Sequence, residues 1–529
     1  MLVAALLVLP IAVVIADIFA PSTGTWAHLA ATVLPEYVAN TLWLLVGVGG
    51  GVILLGVSTA WFVTAFRFPG RSLFEWALVL PLAVPAYVMA YAYTDLLQFA
   101  GPVQSSLRAL TGWHAREYWF PEIRSLGGAV AMFSFVLYPY VYLLARAAFL
   151  EQSASLTEAG RLLGRSAWGN FARVAVPLAR PAIAAGASLA LMETLTDFGT
   201  VSYFAVQTFT TGIYHAWLSL GDLTAAGQLS AALLGFVLVV LTLERLNRGA
   251  ARFDNPSARI RATAISLHGA RAVAAFCLCL LPILVGFLLP AGILLHLALT
   301  APEAQLTGRF LGLVTNSVSV AAVTSIIAVA LATLMAYAAR LSGSRAVTFA
   351  SRIASLGYAV PGAVIAVGIV VPVARLDNLL ADWLEAQFDV RIGLLMTGSI
   401  AALVYAYLVR FLAIALQTVE AGLGKIRPSM EDAARSLGYA PGRALFKVHA
   451  PMMRASLITA GLIVFVDVMK ELPATFMMRP FNFDTLAVQA FNYASDERLA
   501  EAAAASLVIV AAGSLPLLIL SRAIASRRR

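Results

Sequence analysis

Long apolar stretches separated by short polar segments dominate this 529-residue chain. Most stretches approach or exceed about 20 residues, the length at which a helix crosses the hydrocarbon core of a bilayer. Apolar and polar residues do not alternate as they do in the strands of a membrane barrel, so the spans are predicted to be helices. The twelve predicted spans cover residues 2–20, 41–66, 73–100, 126–149, 182–206, 229–244, 272–298, 312–338, 349–374, 396–418, 455–476 and 503–521.

The first apolar run, residues 2–20, matches a secretory signal peptide only in part. No basic residue precedes it, although small residues lie near its end at Ala16 and Ala20. A cleaved signal peptide remains open, and the natural start could also lie upstream, but an uncleaved span is the interpretation we favour.

The composition indicates a membrane protein. Hydrophobic residues make up 61% of the chain, charged residues 12%, and the mean hydropathy is +0.86. A soluble domain carries about 25% charged residues, so this chain has too little polar surface to cover itself in water. In a membrane protein the net charge of +9 informs orientation, and we expect no nucleic-acid partner.

Basic residues are distributed unequally between the two sides of the predicted spans. With both termini in the cytoplasm, 27 of the 36 arginine and lysine residues lie on the cytoplasmic side and eight on the outer side. Positive loops remain in the cytoplasm during insertion. The sequence therefore predicts a multi-pass membrane protein with both termini in the cytoplasm.

A polar, basic segment occurs twice in this apolar chain. Residues 158–181 read EAGRLLGRSAWGNFARVAVPLARP, and residues 432–455 read DAARSLGYAPGRALFKVHAPMMRA. The copies are offset by 274 positions without a gap, and seven positions are identical. Such an internal repeat indicates two copies of one structural unit.

The repeat extends beyond this segment and divides the chain into halves. Asn40 is matched by Asn316, and Pro85 is matched by Pro361. A basic linker at residues 247–271 joins residues 1–246 to residues 272–529. The offset corresponds to an even number of spans, so equivalent spans point the same way. We predict an all-α membrane protein with about twelve helices in two parallel six-helix repeats.

Each copy of the segment is predicted to form a short helix, a glycine turn and a second short helix. Apolar positions follow helical spacing before Gly164 and Gly438, and glycine ends a helix because it enters the left-handed conformation freely. Pro177 and Pro451 are then expected to open the next span. An amphipathic connector lying on anionic lipid is the alternative, but lipid does not require the fixed glycine-to-proline spacing that both copies share.

The segments resemble the coupling loop of permease subunits of binding-protein-dependent ABC importers, which has the pattern E-A-A, three residues, G and a later P. Gly160 departs from this pattern, where a second alanine is expected, and so does Asp432, where glutamate is expected. The resemblance implies a type I importer permease fold with coupling segments at residues 157–180 and 431–454. The ATPase-coupling residues it implies are Glu158, Ala159, Gly160, Gly164 and Pro177 in the first half and Asp432, Ala433, Ala434, Gly438 and Pro451 in the second.

More narrowly, the fused layout with METLTDFGTVSYF and DVMKELPAT resembles ferric-iron importer permeases. The resemblance implies a dimer of ATPase subunits, an external substrate-binding protein and surrounding lipid as partners. Thiamine, also carried by fused double permeases, or another small solute is the alternative cargo.

The chain contains no sequence for nucleotide binding. No G-x-x-x-x-G-K-[ST] loop is present, and the six histidines are scattered rather than spaced as metal ligands. We therefore expect no catalysis and no cofactor on this chain, with ATP and Mg²⁺ bound by the partner ATPase. No metal site is predicted with certainty.

Charged residues inside the predicted spans are the candidates for the translocation path. Glu193 and Asp197 lie four residues apart, and Asp467, Lys470 and Glu471 occupy the matching part of the second half, the acids again offset by 274. Charge at such depth costs about 3 kcal/mol unless paired or hydrated. A carboxylate-lined cation path facing the other half is one interpretation; a structural role, with Lys470 neutralising an acid and threonines satisfying the others, is the alternative.

Other polar residues in the spans are expected to be structural. Asn40 and Asn316 are interpreted as hydrogen-bonding between helices, and Pro85 and Pro361 as breaking or kinking their helices beside a cavity. Tyr138, Tyr140 and Tyr142 are interpreted as members of an interfacial aromatic belt.

An ion-coupled secondary transporter is the rival function from another class. It would account for the duplication and for the intramembrane acids. It gives no reason for two copies of the cytoplasmic segment, and we therefore favour the importer permease.

Overall fold

The computed structural model describes residues 1–21, 24–114, 117–152, 166–248, 265–300, 308–389 and 393–526. Within these ranges the chain is almost entirely helical. The helices before the linker are Leu2–Ala16, Gly24–Thr32, Leu34–Ala65, Arg71–Ala77, Ala86–Leu97, Pro102–Thr111, Leu126–Glu151, Ala167–Asn170, Val176–Thr196, Gly199–Tyr203, Phe209–Tyr214 and Leu223–Arg248. The helices after it are Ala270–Ile283, Leu289–Thr300, Gly308–Ser342, Arg345–Ala354, Gly362–Phe388, Ile400–Leu423, Pro428–Ser436, Pro441–Ala444, Ala450–Met469, Pro473–Met478, Leu486–Ser495 and Leu499–Ser526.

Short irregular elements complete the backbone. In the part of the chain that the structure describes, three 3₁₀ turns span Asp17–Phe19, Leu80–Ala83 and Gly357–Ala359, and four π-helical turns span Phe171–Ala175, His215–Ser219, Leu284–Leu288 and Leu445–His449. In the described residues the strands are Phe66–Arg67 and Ile265–Ser266, which pair in parallel.

The described residues contain 11 helices long and apolar enough to cross a membrane, or 12 if one bent pair counts as a span. The bent pair, Arg71–Ala83 with Ala86–Thr111, turns by 89°, and Pro85 is the residue directly before its second helix. The prediction of an α-helical protein with about twelve spans is confirmed.

Proline also determines the bounds of the ninth predicted span, which were wrong. Pro361 precedes the helix Gly362–Phe388, so the predicted run 349–374 is divided between that span and the separate helix Arg345–Ala354. Proline lacks a backbone N–H and restricts the residue before it, and a helix is therefore expected to stop there.

The chain packs as two compact units, and each unit draws on both sequence halves. One unit comprises Met1–Thr32, Gly212–Leu234 and Leu306–Asn492; the other comprises Val33–Thr211, Gly235–Gln305 and Tyr493–Arg529. The division at residues 247–271 thus follows the sequence repeat and not the compact units, because each unit contains helices of both sequence halves.

In the first unit, the N-terminal helix Leu2–Ala16 packs closely against helices of the second sequence half. A Cβ added to Gly368 would lie 2.2 Å from the carbonyl oxygen of Pro10, so only glycine allows this approach. The Tyr405 hydroxyl donates to the carbonyl of Leu6. These contacts make the N-terminal helix part of the packed unit.

Candidate functional site

The second copy of the repeated segment has the predicted helix and glycine turn. The helix Pro428–Ser436, called here the coupling helix, begins at a proline, which suits the first helical turn. Gly438 has a φ of +78°; its N–H donates to Arg435 O at 2.9 Å, and the Tyr439 N–H donates to Ala434 O at 3.0 Å. This left-handed C-terminal turn is the conformation expected of the glycine.

The coupling helix presents a mixed polar and apolar surface outward. Asp432, Ala433 and Gly438 are exposed, and Leu437 keeps 77% of its accessible surface. Ala434, by contrast, is buried against the rest of the unit. The helix thus carries an exposed leucine directly before its left-handed glycine turn.

The prediction that Pro451 opens the next span was wrong. The span runs without interruption from Pro441 to Met469, and Pro451 lies inside it, directly after the π-helical turn Leu445–His449. A π-helical turn changes the local hydrogen-bond pattern, so a residue without an N–H is accommodated in a continuous helix.

The first half repeats this arrangement in the same register. Its span runs from Trp168 to Thr196, and Pro177 follows the π-helical turn Phe171–Ala175. The two π-helical turns are offset by 274 positions, as the sequence repeat is. Four predicted coupling residues, Glu158, Ala159, Gly160 and Gly164, lie outside the described residues.

Glu471 lies at a break between two helices of the second half and not within a continuous span. The span ends at Met469, and the short helix Pro473–Met478 follows. The Glu471 carboxylate accepts from the N–H groups of Ala474 at 2.9 Å and Thr475 at 3.0 Å, and lies 2.6 Å from the Thr475 hydroxyl. It thereby satisfies the free N–H groups at the start of the short helix.

Asp197 has the same role at the equivalent break of the first half. The span ends at Thr196, and the helix Gly199–Tyr203 begins two residues after Asp197. The Asp197 carboxylate accepts from the Thr200 N–H at 2.8 Å and the Thr200 hydroxyl at 3.1 Å. Glu193 and Asp197 are therefore not two residues of one helical face, as the spacing alone had suggested.

Arg410, one of the 27 basic residues counted above on the cytoplasmic side, is instead buried in a span and neutralises Glu471. Arg410 lies inside the span Ile400–Leu423, is 7% exposed, and its Nη1 is 3.3 Å from Glu471 Oε1. Its occurrence within the apolar run 396–418 was the signal that it serves an intramembrane acid. In the register that aligns Tyr138 with Tyr405 and Tyr140 with Tyr407, Leu143 occupies the corresponding position in the first half.

The remaining candidate acids differ between the halves. Asp467 Oδ1 lies 2.9 Å from Lys470 Nζ, which agrees with the structural alternative for these two residues. In the first half Thr196 stands where Lys470 stands in the second, and its hydroxyl donates to the main-chain carbonyl of Glu193 at 3.0 Å. The described residues contain no group of three or more His, Cys, Asp or Glu side chains placed to hold a metal ion.

The two asparagines of the repeat make equivalent structural hydrogen bonds, but their acceptors lie in connections and not, as the sequence interpretation had it, on a second helix. Asn40 Nδ2 donates to Gln207 O at 2.9 Å, and Asn316 Nδ2 donates to Asp484 O at 3.1 Å. Each fixes a connection that follows the short helix of its own half.

The interpretation of Tyr138 and Tyr142 as an interfacial belt was wrong. Both side chains are fully buried. The Tyr138 hydroxyl donates to Leu78 O at 2.8 Å and the Tyr142 hydroxyl donates to Glu75 O at 2.9 Å. They satisfy backbone carbonyls where the helix Arg71–Ala77 ends before the Pro85 break, and buried carbonyls require such donors.

Known proteins share this repeat. The sequence profile of the family described as "Binding-protein-dependent transport system inner membrane component" matches residues 52–248 and again residues 328–529. Together these ranges cover most of the chain, one range in each sequence half.

Individual relatives are permease proteins of several import systems. The chain is 24% identical to the Fe(3+)-transport system permease protein FbpB 2 of Haemophilus influenzae, over 92% of this chain and 90% of the relative. It is 31% identical to the sulfate transport system permease protein CysT of Escherichia coli, over 29% of this chain and 52% of the relative. It is 32% identical to a probable molybdenum ABC transporter permease protein of Haloferax volcanii, over 39% of this chain and 71% of the relative.

Members of this family are membrane components of importers and not enzymes, and a separate subunit hydrolyses ATP. This excludes the ion-coupled secondary transporter as the class of protein. With two matches to the family and a multi-pass helical fold, the chain belongs to the binding-protein-dependent transport system inner membrane components and is a fused double permease of an ABC importer.

Proposed function

We propose that the chain forms the translocation path for ferric iron. An external binding protein delivers the iron, and ATP hydrolysis on a separate pair of ATPase subunits drives its inward movement. The match to an Fe(3+)-transport permease over 92% of this chain and 90% of that relative carries the cargo assignment. The sulfate and molybdenum permeases align with less than half of the chain. The distribution of arginine and lysine supports a cytoplasmic position for both termini.

Charge at the two helix breaks supports a cation over an oxyanion. In the second half Arg410 and Lys470 offset Asp467 and Glu471. In the first half the corresponding positions are Leu143 and Thr196, while both carboxylates, Glu193 and Asp197, are retained. The matched positions of the two halves, taken together, therefore carry a net negative charge. Carboxylate oxygens suit a hard cation.

The coupling role of residues 157–180 and 431–454 is part of this proposal. The exposed surface of the coupling helix, with Asp432, Ala433 and Leu437, would dock in the ATPase. Because the span continues through Pro441 to Met469, a displacement of the docked turn would be transmitted along one helix to the break at Glu471. No nucleotide, Mg²⁺ or other cofactor is assigned to this chain.

Uptake by the reconstituted complex tests the cargo. Permease, ATPase and binding protein in proteoliposomes are expected to accumulate iron from ferric-loaded binding protein when ATP is supplied. Sulfate, molybdate and thiamine, each offered with the same binding protein, are expected to give no ATP-dependent uptake. Uptake of one of those solutes without uptake of iron would contradict the iron assignment while leaving the importer class intact.

A further inference from the structure

We propose that Arg340 is a positioning residue that fastens the second coupling helix to two membrane spans. The inference rests on the proposed coupling role of residues 431–454. Arg340 lies in the last turn of the helix Gly308–Ser342, outside every motif that the sequence analysis singled out.

The Arg340 guanidinium joins three elements at once. Its Nε lies 3.1 Å from Glu431 Oε2 on the coupling helix. Its Nη1 donates to Leu423 O at 2.7 Å and its Nη2 donates to Ile426 O at 2.9 Å. Leu423 is the last residue of the span Ile400–Leu423, where carbonyls lack helical partners and the helix dipole favours a cation. A planar, permanently charged fork of five donors suits this set of acceptors.

Glu431 points into the protein, not toward a partner. It is 8% exposed, and its second carboxylate oxygen lies 3.1 Å from Arg435 Nη2. Its place in the first turn of the coupling helix is favourable for an acid. The adjacent Asp432 is exposed. The two neighbouring acids therefore have different roles: Glu431 fastens the helix, and Asp432 remains accessible for docking.

The same helix end also holds the chain beyond the glycine turn. Tyr337, one turn before Arg340, donates from its hydroxyl to Pro441 O at 3.0 Å. Residues on both sides of Gly438 are thus bound to Gly308–Ser342, one by the ion pair and one by this hydrogen bond. A force on the glycine turn would therefore reach the spans Gly308–Ser342 and Ile400–Leu423 as well as the span that begins at Pro441.

The first half carries different residues at these positions. In the register that aligns Asn40 with Asn316, Arg340 corresponds to Thr64 and Tyr337 to Trp61; in the register of the coupling segments, Glu431 corresponds to Thr157. The Thr64 hydroxyl donates within its own helix, to Ala60 O at 2.8 Å. The Trp61 ring packs at 5.1 Å, centroid to centroid, on Phe171 of the π-helical turn. The residue that replaces Tyr337 in the first half thus contacts its own repeated segment by aromatic packing.

The test uses the full complex of permease, ATPase and ferric-loaded binding protein in proteoliposomes. Two quantities are measured: the amount of ATPase that copurifies, and the factor by which the loaded binding protein stimulates ATP hydrolysis. Arg340→Ala is expected to leave copurification unchanged and to lower the stimulation about fivefold or more, in the range of ordinary coupling between sites. Arg340→Lys retains the charge but not the fork and should give an intermediate value.

A double-mutant cycle distinguishes fastening from a general loss of stability. If Arg340 acts through Glu431, Arg340→Ala combined with Glu431→Gln should lower the stimulation no further than Arg340→Ala alone. Thr64→Ala, the matched change in the first half, should leave it at the wild-type value. Full stimulation in Arg340→Ala, or additive losses in the cycle, would overturn the inference. If Arg340→Ala does not fold, Arg340→Lys replaces it in the cycle. The inference would then be overturned if folded Arg340→Lys shows wild-type stimulation and its effect adds fully to that of Glu431→Gln.

The double variant Gly164→Val, Gly438→Val separates this inference from the proposed docking. If the double variant loses the ATPase while Arg340→Ala behaves as wild type, the fastening is wrong and the docking stands. If the double variant keeps the ATPase, the docking proposal fails and the fastening loses its basis in coupling.

Discussion

Replacing Gly164 and Gly438 together with valine is expected to abolish copurification of the ATPase with the permease. Gly438 has a φ of +78°, and a β-branched residue in that conformation costs about 1–2 kcal/mol or more. No atom lies within 4 Å of a Cβ added at Gly438, so the effect comes from the backbone and not from a clash. The turn is expected to open, which displaces Leu437 and Asp432 from their docking geometry. Gly164 is included because it is the equivalent glycine of the first segment.

Gly343 provides a matched control for backbone strain. It also has a positive φ, +56°, with no atom within 4 Å of an added Cβ, but it lies outside both coupling segments. Gly343→Val should therefore retain the ATPase at the wild-type level. Undiminished copurification in the Gly164→Val, Gly438→Val double variant would show that the segments do not dock.

Removal of Arg410 is expected to destabilise the permease by about 3–5 kcal/mol, the usual consequence of leaving one member of a buried ion pair uncompensated. Glu471 is 5% exposed and Arg410 is 7% exposed, so water cannot take over the lost interaction. The Arg410→Ala variant should show a large drop in the thermal midpoint of the detergent-purified protein. Combining Arg410→Met with Glu471→Gln should recover much of that loss, because neither charge then remains buried and the amide still accepts a hydrogen bond.

The ion pair Asp467–Lys470, at the end of the helix Ala450–Met469, provides the comparison. The Lys470 side chain is 34% exposed, and a partly exposed ion pair contributes about 0–1 kcal/mol. Lys470→Ala should therefore lower the midpoint only slightly. Equal losses in Arg410→Ala and Lys470→Ala would contradict the assignment of Arg410 as the neutralising partner of Glu471.

The spans and the repeat were predictable because both follow from patterns with a strong physical cause. Hydrocarbon requires helices of about 20 apolar residues, and two copies of one sequence adopt one local structure. The turn at Gly438 followed from the backbone preference of glycine, and the π-helical turns before Pro177 and Pro451 repeat at the 274-residue offset. That these prolines lie within continuous helices did not follow, since a proline inside a pattern usually indicates a boundary.

Tertiary partners determined what the sequence could not predict. In the sequence Tyr138 and Tyr142 resemble residues of an interfacial belt. In the fold their hydroxyls bind the carbonyls of Leu78 and Glu75, which precede the break at Pro85. Arg410 and Glu471 are 61 residues apart, and Arg340 and Glu431 are 91 apart; no local spacing connects either pair. The exchange of terminal helices between the compact units likewise depends on close approaches, such as that of Gly368 to Pro10, that no periodicity records.

ATP dependence of transport by the purified protein tests the central claim most directly. Proteoliposomes that contain the permease alone, the permease with its ATPase, and both with the loaded binding protein are compared for solute uptake, with and without ATP. The account predicts uptake only when ATPase, binding protein and ATP are all present. Undiminished uptake by the permease alone, sustained by an ion gradient, would contradict it.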